Sequence, residues 1–276
     1  MDSRHLTVEL TPPLATVTLD RPARRNALSL DLMRDLTASL RDVGANEEIA
    51  VITHSGVKFT DLTINEIYEP IQIPGKKILW GHNYFFLRDE FQAARPHRFR
   101  KKINCVMLAF GGTDQHNMSW SIYKSIKLFC SNQGIYIHIV TGPGYEGYEN
   151  LLSEVQCDEG VSLTHASGVI SGIMEQAQVA ITSNGRTVYE LAHMNVPSIV
   201  IAQHDREFTH SFAGEDNGFI SLGLYRKGET EKTALVSLVQ LVDDTEYRYK
   251  LFQRMRPYRF SSNKQKVVKE IMKCLE

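Results

Sequence analysis

Residues 180–207, AITSNGRTVYELAHMNVPSIVIAQHDRE, constrain the fold more tightly than any other stretch of the chain. Residues 179–182 are a short apolar run of strand type, and Ser183, Asn184 and Gly185 supply a turn. Residues 187–194 place Val188, Leu191 and Ala192 at i, i+3, i+4 spacing, which predicts a helix. Asn195 suits the left-handed position that closes such a helix, and Pro197 cannot continue it. The next run, PSIVI at 197–201, reads as a buried strand of parallel type. A helix that starts straight after a Ser-Asn-Gly turn points free backbone N–H groups, and the positive end of its dipole, at whatever lies above it. Glu190 lies one turn in, where a carboxylate could accept two hydrogen bonds from a ribose diol, so the geometry suits a nucleotide. Yet any α/β protein repeats strand, turn, helix and strand, and most such turns bind nothing. The pattern leaves both readings open, since sites in parallel sheets gather at strand C-terminal ends.

A second turn of the same kind precedes it. Residues 103–110 form a nearly continuous apolar strand that runs into Gly111, Gly112, Thr113, Asp114, Gln115, His116 and Asn117, then a helix over about 119–131. Two glycines let backbone approach a ligand closely, and Thr113 and Asn117 offer donors. The same glycines serve equally as a tight strand–helix turn. Further strands are expected at 135–141, 161–164 and 219–224. Helices are expected at 150–155, at 168–178 with Val169, Ile173, Met174 and Ala177 inward, and at 209–217, 230–243, 244–256 and 263–275. His165 is placed to touch a base or sugar, or simply to cap the 168–178 helix.

SNGRTVYELAHMNVPSIVIAQHDRE is similar to the nucleotide-sugar-binding signature of the GT-B superfamily, G-x-x-x-x-E-x-x-x-x-x-x-P-x-[ILV]-x-[ILV]. More narrowly it resembles the UDP-sugar hydrolases of pseudaminic acid biosynthesis and their relatives in polysaccharide pathways. Gly81, Tyr84, Leu87, Arg88, Glu90 and Phe91 match the stretch that joins the two domains in that family, although Tyr84, Phe85 and Phe91 also read as plain core residues. The G-G-[ST]-D-x-x-N element at 111–117 matches too, and the resemblance covers about residues 51–276. It implies that Gly111, Gly112, Thr113, Asp114 and Asn117 stand near phosphate and sugar. Ser183, Asn184, Gly185, Thr187 and Glu190 would hold the nucleotide, with Glu190 on the ribose hydroxyls. Gln203, His204 and Glu207 would close the sugar side. The family's water-polarising His sits in an early G-x-G-H loop. His54, His82, His116 and His204 are the nearest candidates, and none has that context. The resemblance therefore implies nucleotide recognition without the base, a loss of about 10²–10⁴-fold in rate, and leaves the catalytic residue unassigned.

Residues 1–50 resemble a different family. TVTLDRPARRNALSLDLMRDLTASLRDV is similar to the start of crotonase-fold enoyl-CoA hydratases and isomerases: a strand, an R-P-x-x-x-N-A-L turn at 21–28, and a helix from about 30 to 43. That resemblance implies CoA contacts at Ala23, Arg24 and Ala27. The two Gly-rich loops that form the oxyanion hole of such enzymes are missing, because residues 55–61 read SGVKFTD and no Gly-rich helix start follows. The expected architecture is α/β: a GT-B-like, Rossmann-type parallel-sheet domain preceded by a partial, crotonase-like β-β-α segment. Residues 1–50 would be that segment, 51–102 the remnant of a GT-B N-terminal domain with its connection, and 103–276 the nucleotide-sugar domain. A natural fusion and an engineered chimera would look alike.

Charge narrows the partners. Lys plus Arg number 31 against 32 Asp plus Glu, which gives no general attraction to nucleic acid or anionic membrane. The basic run AARPHRFRKK at 93–102 has no counterpart elsewhere and reads as a solvated linker. No apolar run approaches the ~20 residues that span a bilayer, and MDSRHLTVEL has no apolar h-region, so a cytoplasmic chain is expected. Cys105, Cys130, Cys157 and Cys274 show no C-x-x-C and suit a reducing compartment as buried or free thiols. No cofactor and no metal is expected; the expected ligand is a UDP-linked sugar, and the oligomeric state is left open.

Overall fold

The computed structural model describes residues 2–3, 6–11, 14–19, 30–44, 52–54, 62–65, 67 and 77–273. It divides into two units, Met1–Tyr84 with Lys264–Glu276, and Phe85–Asn263.

In the first unit, β1 (Asp2–Ser3), β2 (Leu6–Thr11) and β3 (Leu14–Leu19) make an antiparallel sheet, with Leu6 opposite Leu19 and Thr11 opposite Leu14. Helix α1 (Leu30–Gly44) follows, and its buried Val43 packs with Val8 and Ala15. The β-β-α order expected within residues 1–50 is therefore present in β2, β3 and α1. Strands β4 (Ile52–His54), β5 (Leu62–Asn65) and β6 (Lys77–Trp80) make a parallel sheet, with the wholly buried β5 in the middle. Sequence reasoning missed β5, because four residues buried on both faces carry no alternation. The turn at 21–28 with Ala23, Arg24 and Ala27, the segment 55–61, and Cys274 lie outside the described residues.

The second unit is built on six parallel strands in the order β12–β11–β10–β7–β8–β9. They are β7 (Cys105–Ala109), β8 (Tyr136–Thr141), β9 (Val161–His165), β10 (Val179–Ser183), β11 (Ser198–Ala202) and β12 (Phe219–Leu224). Every residue of β7, β10 and β11 is buried, as strands covered by helices on both faces must be. The helices between them are α2 (Met118–Gln133), α3 (Tyr148–Val155), α4 (Ser171–Met174), α5 (Thr187–Met194) and α6 (Asp205–Phe208). After β12 come α7 (Thr230–Asp243) and α8 (Thr245–Met255), while α9 (Asn263–Met272) begins at the last residue of this unit. Helix α5 has the predicted bounds, and Asn195 closes it at φ +56°. Successive strands leave β7 and β10 in opposite directions, so the strand order reverses between them. At such a reversal the loops diverge and open a crevice at the strand C-terminal ends.

Three expectations are corrected. The helix expected at 168–178 shrinks to α4, and Val169, expected inward, is 59% exposed. The Glu90 carboxylate accepts the N–H groups of Ile170 and Ser171, which fixes the start of α4. At the other end the Gln178 side-chain carbonyl accepts from Asn104 and Cys105 and draws the chain toward β7. The helix expected at 209–217 is absent but for a single 3₁₀ turn, Glu215–Asn217; the helical turn of this loop, α6, comes earlier and ends at Phe208. There the Asn184 amide donates to the carbonyls of Glu207 and His210, taking acceptors that a continuing helix would use. The basic run 93–102 is not a free linker: His97 N–H bonds Met194 O at 2.9 Å, and Phe99 packs edge-on to Tyr249 and Phe252. The fully buried Arg248 donates to the carbonyls of Arg100 and Lys101 in the same run.

Candidate functional site

The loops that follow β7, β10 and β11 meet at the strand-order reversal. Gly111 has φ +77°, a left-handed value that favours glycine. A Cβ built on it would lie 3.7 Å from Ser183 Oγ and 4.0 Å from Gln203 Nε2. A Cβ on Gly185 would lie 3.7 Å from Glu207 Oε1 and 3.9 Å from Ser183 Oγ. Gly111, Ser183, Gly185, Gln203 and Glu207, spread over about a hundred residues of chain, therefore share one small volume. Around Gly112 a Cβ would meet nothing within 4 Å on its own side. Its backbone is instead closed from behind: a Cβ on Gly142 would fall 2.4 Å from Gly112 Cα, and Gly144 N–H bonds Gly112 O at 2.9 Å.

Several predicted residues build these loops. Asp114 is buried, and its carboxylate accepts the N–H groups of Met118 and Ser119 at 2.8 and 2.7 Å, capping α2. Burial pushes the Asp114 carboxyl up from its ordinary range, and the bonds from Ser119 and Met118 oppose that shift. Asn117 sits at φ +55° and accepts the Tyr145 hydroxyl. His204 Nδ1 accepts from Glu207 N–H and caps α6, while Glu207 Oε2 accepts from Gln203 N–H at 2.8 Å. Gln203 Nε2 donates to Phe110 O at 3.0 Å, which ties the β11 loop to the end of β7. His116, whose Nε2 lies 2.8 Å from Gln203 O, adds a second tie. Thr113, Asp114 and Asn117, with Gly144, Tyr145 and Gly147, line a depression of about 530 Å³ beside the glycine loop. His165 does not cap α4: it stacks on Tyr148 and pairs with Thr141 Oγ1 at 3.0 Å.

Glu190 is 5% exposed on the first turn of α5, behind Gly185 and Thr187. Its Oε1 accepts from Arg88 Nε at 2.9 Å. The Arg88 NH1 group forms an ion pair with Glu90 Oε1 at 2.8 Å and donates to Gly168 O at 3.2 Å. Burial pushes the Glu190 carboxyl up; the Arg88 bond pulls it down, as Arg186 does, while Glu90 adds to the rise. The pairing of Arg88 with Glu190 escaped sequence reasoning, because a separation of 102 residues leaves no local signal. Phe85 and Phe91 are buried core residues, as their alternative reading held. Among the described residues no group of three His, Cys, Asp or Glu side chains could hold a metal ion, and Cys105 and Cys130 are buried free thiols.

No family model matches the sequence. The spore coat polysaccharide biosynthesis protein SpsG of Bacillus subtilis is 23% identical over 210 residues, which are 73% of this chain and 61% of SpsG. Uncharacterized protein MJ1062 of Methanocaldococcus jannaschii is 23% identical over 168 residues, 55% of this chain and 34% of that protein. Among solved structures, Acinetobacter baumannii MurG superposes at a TM-score of 0.53 with 13% identity, covering 82% of this chain and 67% of MurG. The pneumococcal O-GlcNAc transferase GtfA, solved with UDP and GlcNAc, superposes at 0.51 with 15% identity, covering 79% of this chain and 46% of GtfA. The fold is of GT-B type. The chain spans under two thirds of the length of SpsG and MJ1062. These similarities support the GT-B resemblance and lend none to a crotonase-like segment at 1–50, nor to a hydrolase in particular. Among the described residues of this GT-B fold no helix is long and apolar enough to cross a membrane.

Proposed function

We propose that the C-terminal ends of β7, β10 and β11 bind a UDP-linked sugar and that the chain serves surface-polysaccharide biosynthesis. One observation carries this reading: Gly111, Ser183, Gly185, Gln203 and Glu207 converge where the strand order reverses, with Glu190 behind them. Beside Gly112 the backbone has open space on its own side, which a diphosphate approaching main-chain N–H groups needs. Gly111, Gly112 and Thr113 lie toward phosphate and sugar in this reading. Ser183, Gly185 and Thr187 take the nucleotide, Glu190 the ribose, and Gln203 and Glu207 the sugar side. Asp114, Asn117, Asn184 and His204 act by holding the loops in shape. The polysaccharide role draws on the name of SpsG, and the choice of UDP on the ligand of GtfA.

Recognition proceeds without hydrolysis in this reading, since no histidine of the sequence stands in a G-x-G-H loop. The test is thermal unfolding with and without UDP, UDP-GlcNAc and CMP. UDP at a hundredfold excess over its dissociation constant stabilises by about 2.7 kcal/mol, which shifts Tm by several degrees in a chain of this size. CMP is expected to shift it less, and incubation with UDP-GlcNAc is expected to release no UDP. An unchanged Tm at millimolar UDP would end the proposal.

A further inference from the structure

We infer that Arg88 is the positioning residue of this site: it holds one oxygen of the Glu190 side chain and leaves the other for a ligand hydroxyl. The inference rests on the reading of the site as a UDP-sugar site. Glu190 is nineteen-twentieths buried, and its Oε1 takes the Arg88 Nε–H bond. Its Oε2 takes no hydrogen bond from any described residue, and it is not one of the sealed-off polar atoms of the core. An oxygen that is held still by its bonded twin yet remains reachable can accept a ribose hydroxyl arriving at the first turn of α5.

Arg88 is itself clamped. Its NH1 group meets Glu90 at 2.8 Å and Gly168 O at 3.2 Å, and its guanidinium lies 5.5 Å from the Phe91 ring centroid. Glu90 is held in turn by the Ile170 and Ser171 amides at 2.8 and 2.9 Å. The chain from α4 through Glu90 and Arg88 to Glu190 therefore sets one rotamer at the carboxylate. The charged groups acting on Glu190 are Arg88, Glu90 and Arg186. With Arg88 removed, burial and Glu90 both favour the protonated acid, opposed by Arg186 alone. A neutral acid accepts hydroxyl hydrogen bonds more weakly than a carboxylate.

The experiment compares wild type, Arg88→Gln, Arg88→Lys, Glu190→Gln and the double variant Arg88→Gln/Glu190→Gln. UDP affinity is measured by calorimetry at pH 6 and pH 8. UDP's own phosphate titrates alike in every sample, so the ratio to wild type is read. Arg88→Gln is expected to bind UDP about tenfold more weakly than wild type at pH 6 and to recover part of that loss at pH 8. Arg88→Lys should fall between the two. A purely structural Arg88 would lower stability and leave that ratio the same at both pH values, which would overturn the inference while the UDP reading stood.

Thermal unfolding without ligand supplies the second measurement. In Arg88→Gln the folded Glu190 holds its proton more tightly than the unfolded chain does. The variant's Tm should therefore fall from pH 6 to pH 8 more steeply than wild type, and the double variant should lose that extra slope. If wild type fails to bind UDP, the site reading fails and this slope alone decides whether Arg88 governs Glu190. Equal slopes in Arg88→Gln and the double variant would overturn it.

Discussion

Glu190 and His193 sit one turn apart on α5, both buried, and burial acts on them in opposite senses because one is an acid and the other a base. The His193 imidazole is pushed down to about 4, first by burial and then by the nearby Arg259. It is therefore neutral in the folded chain at pH 7, and it charges more readily once unfolded. Its depressed value sets a pH window: stability is full above the ordinary histidine range near 6.5 and is lost as pH falls from there toward 4. His97, His138 and His210 are also pushed down by burial and add to the same slope. Urea titrations at pH 7, 6, 5 and 4 should show a falling midpoint, and His193→Gln should remove part of that fall. An unchanged slope in the variant would show that the ring is not buried neutral. Of these residues, sequence reasoning singled out only Glu190, because an acid one turn inside a helix is a local pattern. Arg88 becomes its partner only once residues 102 apart are folded together.

At the scale of elements, what could be read from the chain followed the distance over which the deciding force acts. Strands β7, β10 and β11 were legible because the runs CVMLA, VAITS and SIVIA are predominantly apolar and carry no charge. The bounds of α5 were legible because its turn, its apolar face and its closing Asn195 are all local. Helix α4 and the 209–217 segment were misjudged because Glu90 and Asn184 reach them with side-chain hydrogen bonds from elsewhere in the chain, while Gln178 reaches out of its own segment to β7. The candidate site divides in the same way. Its glycine turns could be recognised singly, whereas the contact of Gly142 with Gly112 could not. That contact makes a prediction. In Gly142→Ala the new methyl carbon falls 2.4 Å from Gly112 Cα and 2.5 Å from Gly112 O, and backbone atoms cannot rotate away. Overpacking of this kind costs about 1–3 kcal/mol. We expect a lower Tm together with weaker UDP binding, because the displaced loop is the one that carries Gly111. Full stability in this variant would mean that the two loops do not touch.

On the scale of the molecule, Phe85–Asn263 contains a complete six-stranded sheet, its covering helices and a continuous apolar core that runs from Ile103 to Leu251. A unit that buries its own core can fold by itself. A fragment of residues 85–263 is expected to unfold in one cooperative transition and to give dispersed amide resonances. A molten fragment would show that its core needs the remainder of the chain. What the sequence determined by itself is the α/β character of this fold, the order of its strands and helices along the chain, and the two turns that could receive a ligand, because apolar periodicity and turn chemistry act over a few residues. Only the tertiary structure decided that these turns lie side by side at the strand-order reversal, that Asp114 and His204 cap helices, and that Glu190 is tied to Arg88. Those facts depend on which residues distant in sequence come within about 4 Å of one another, and local propensity carries no information about that.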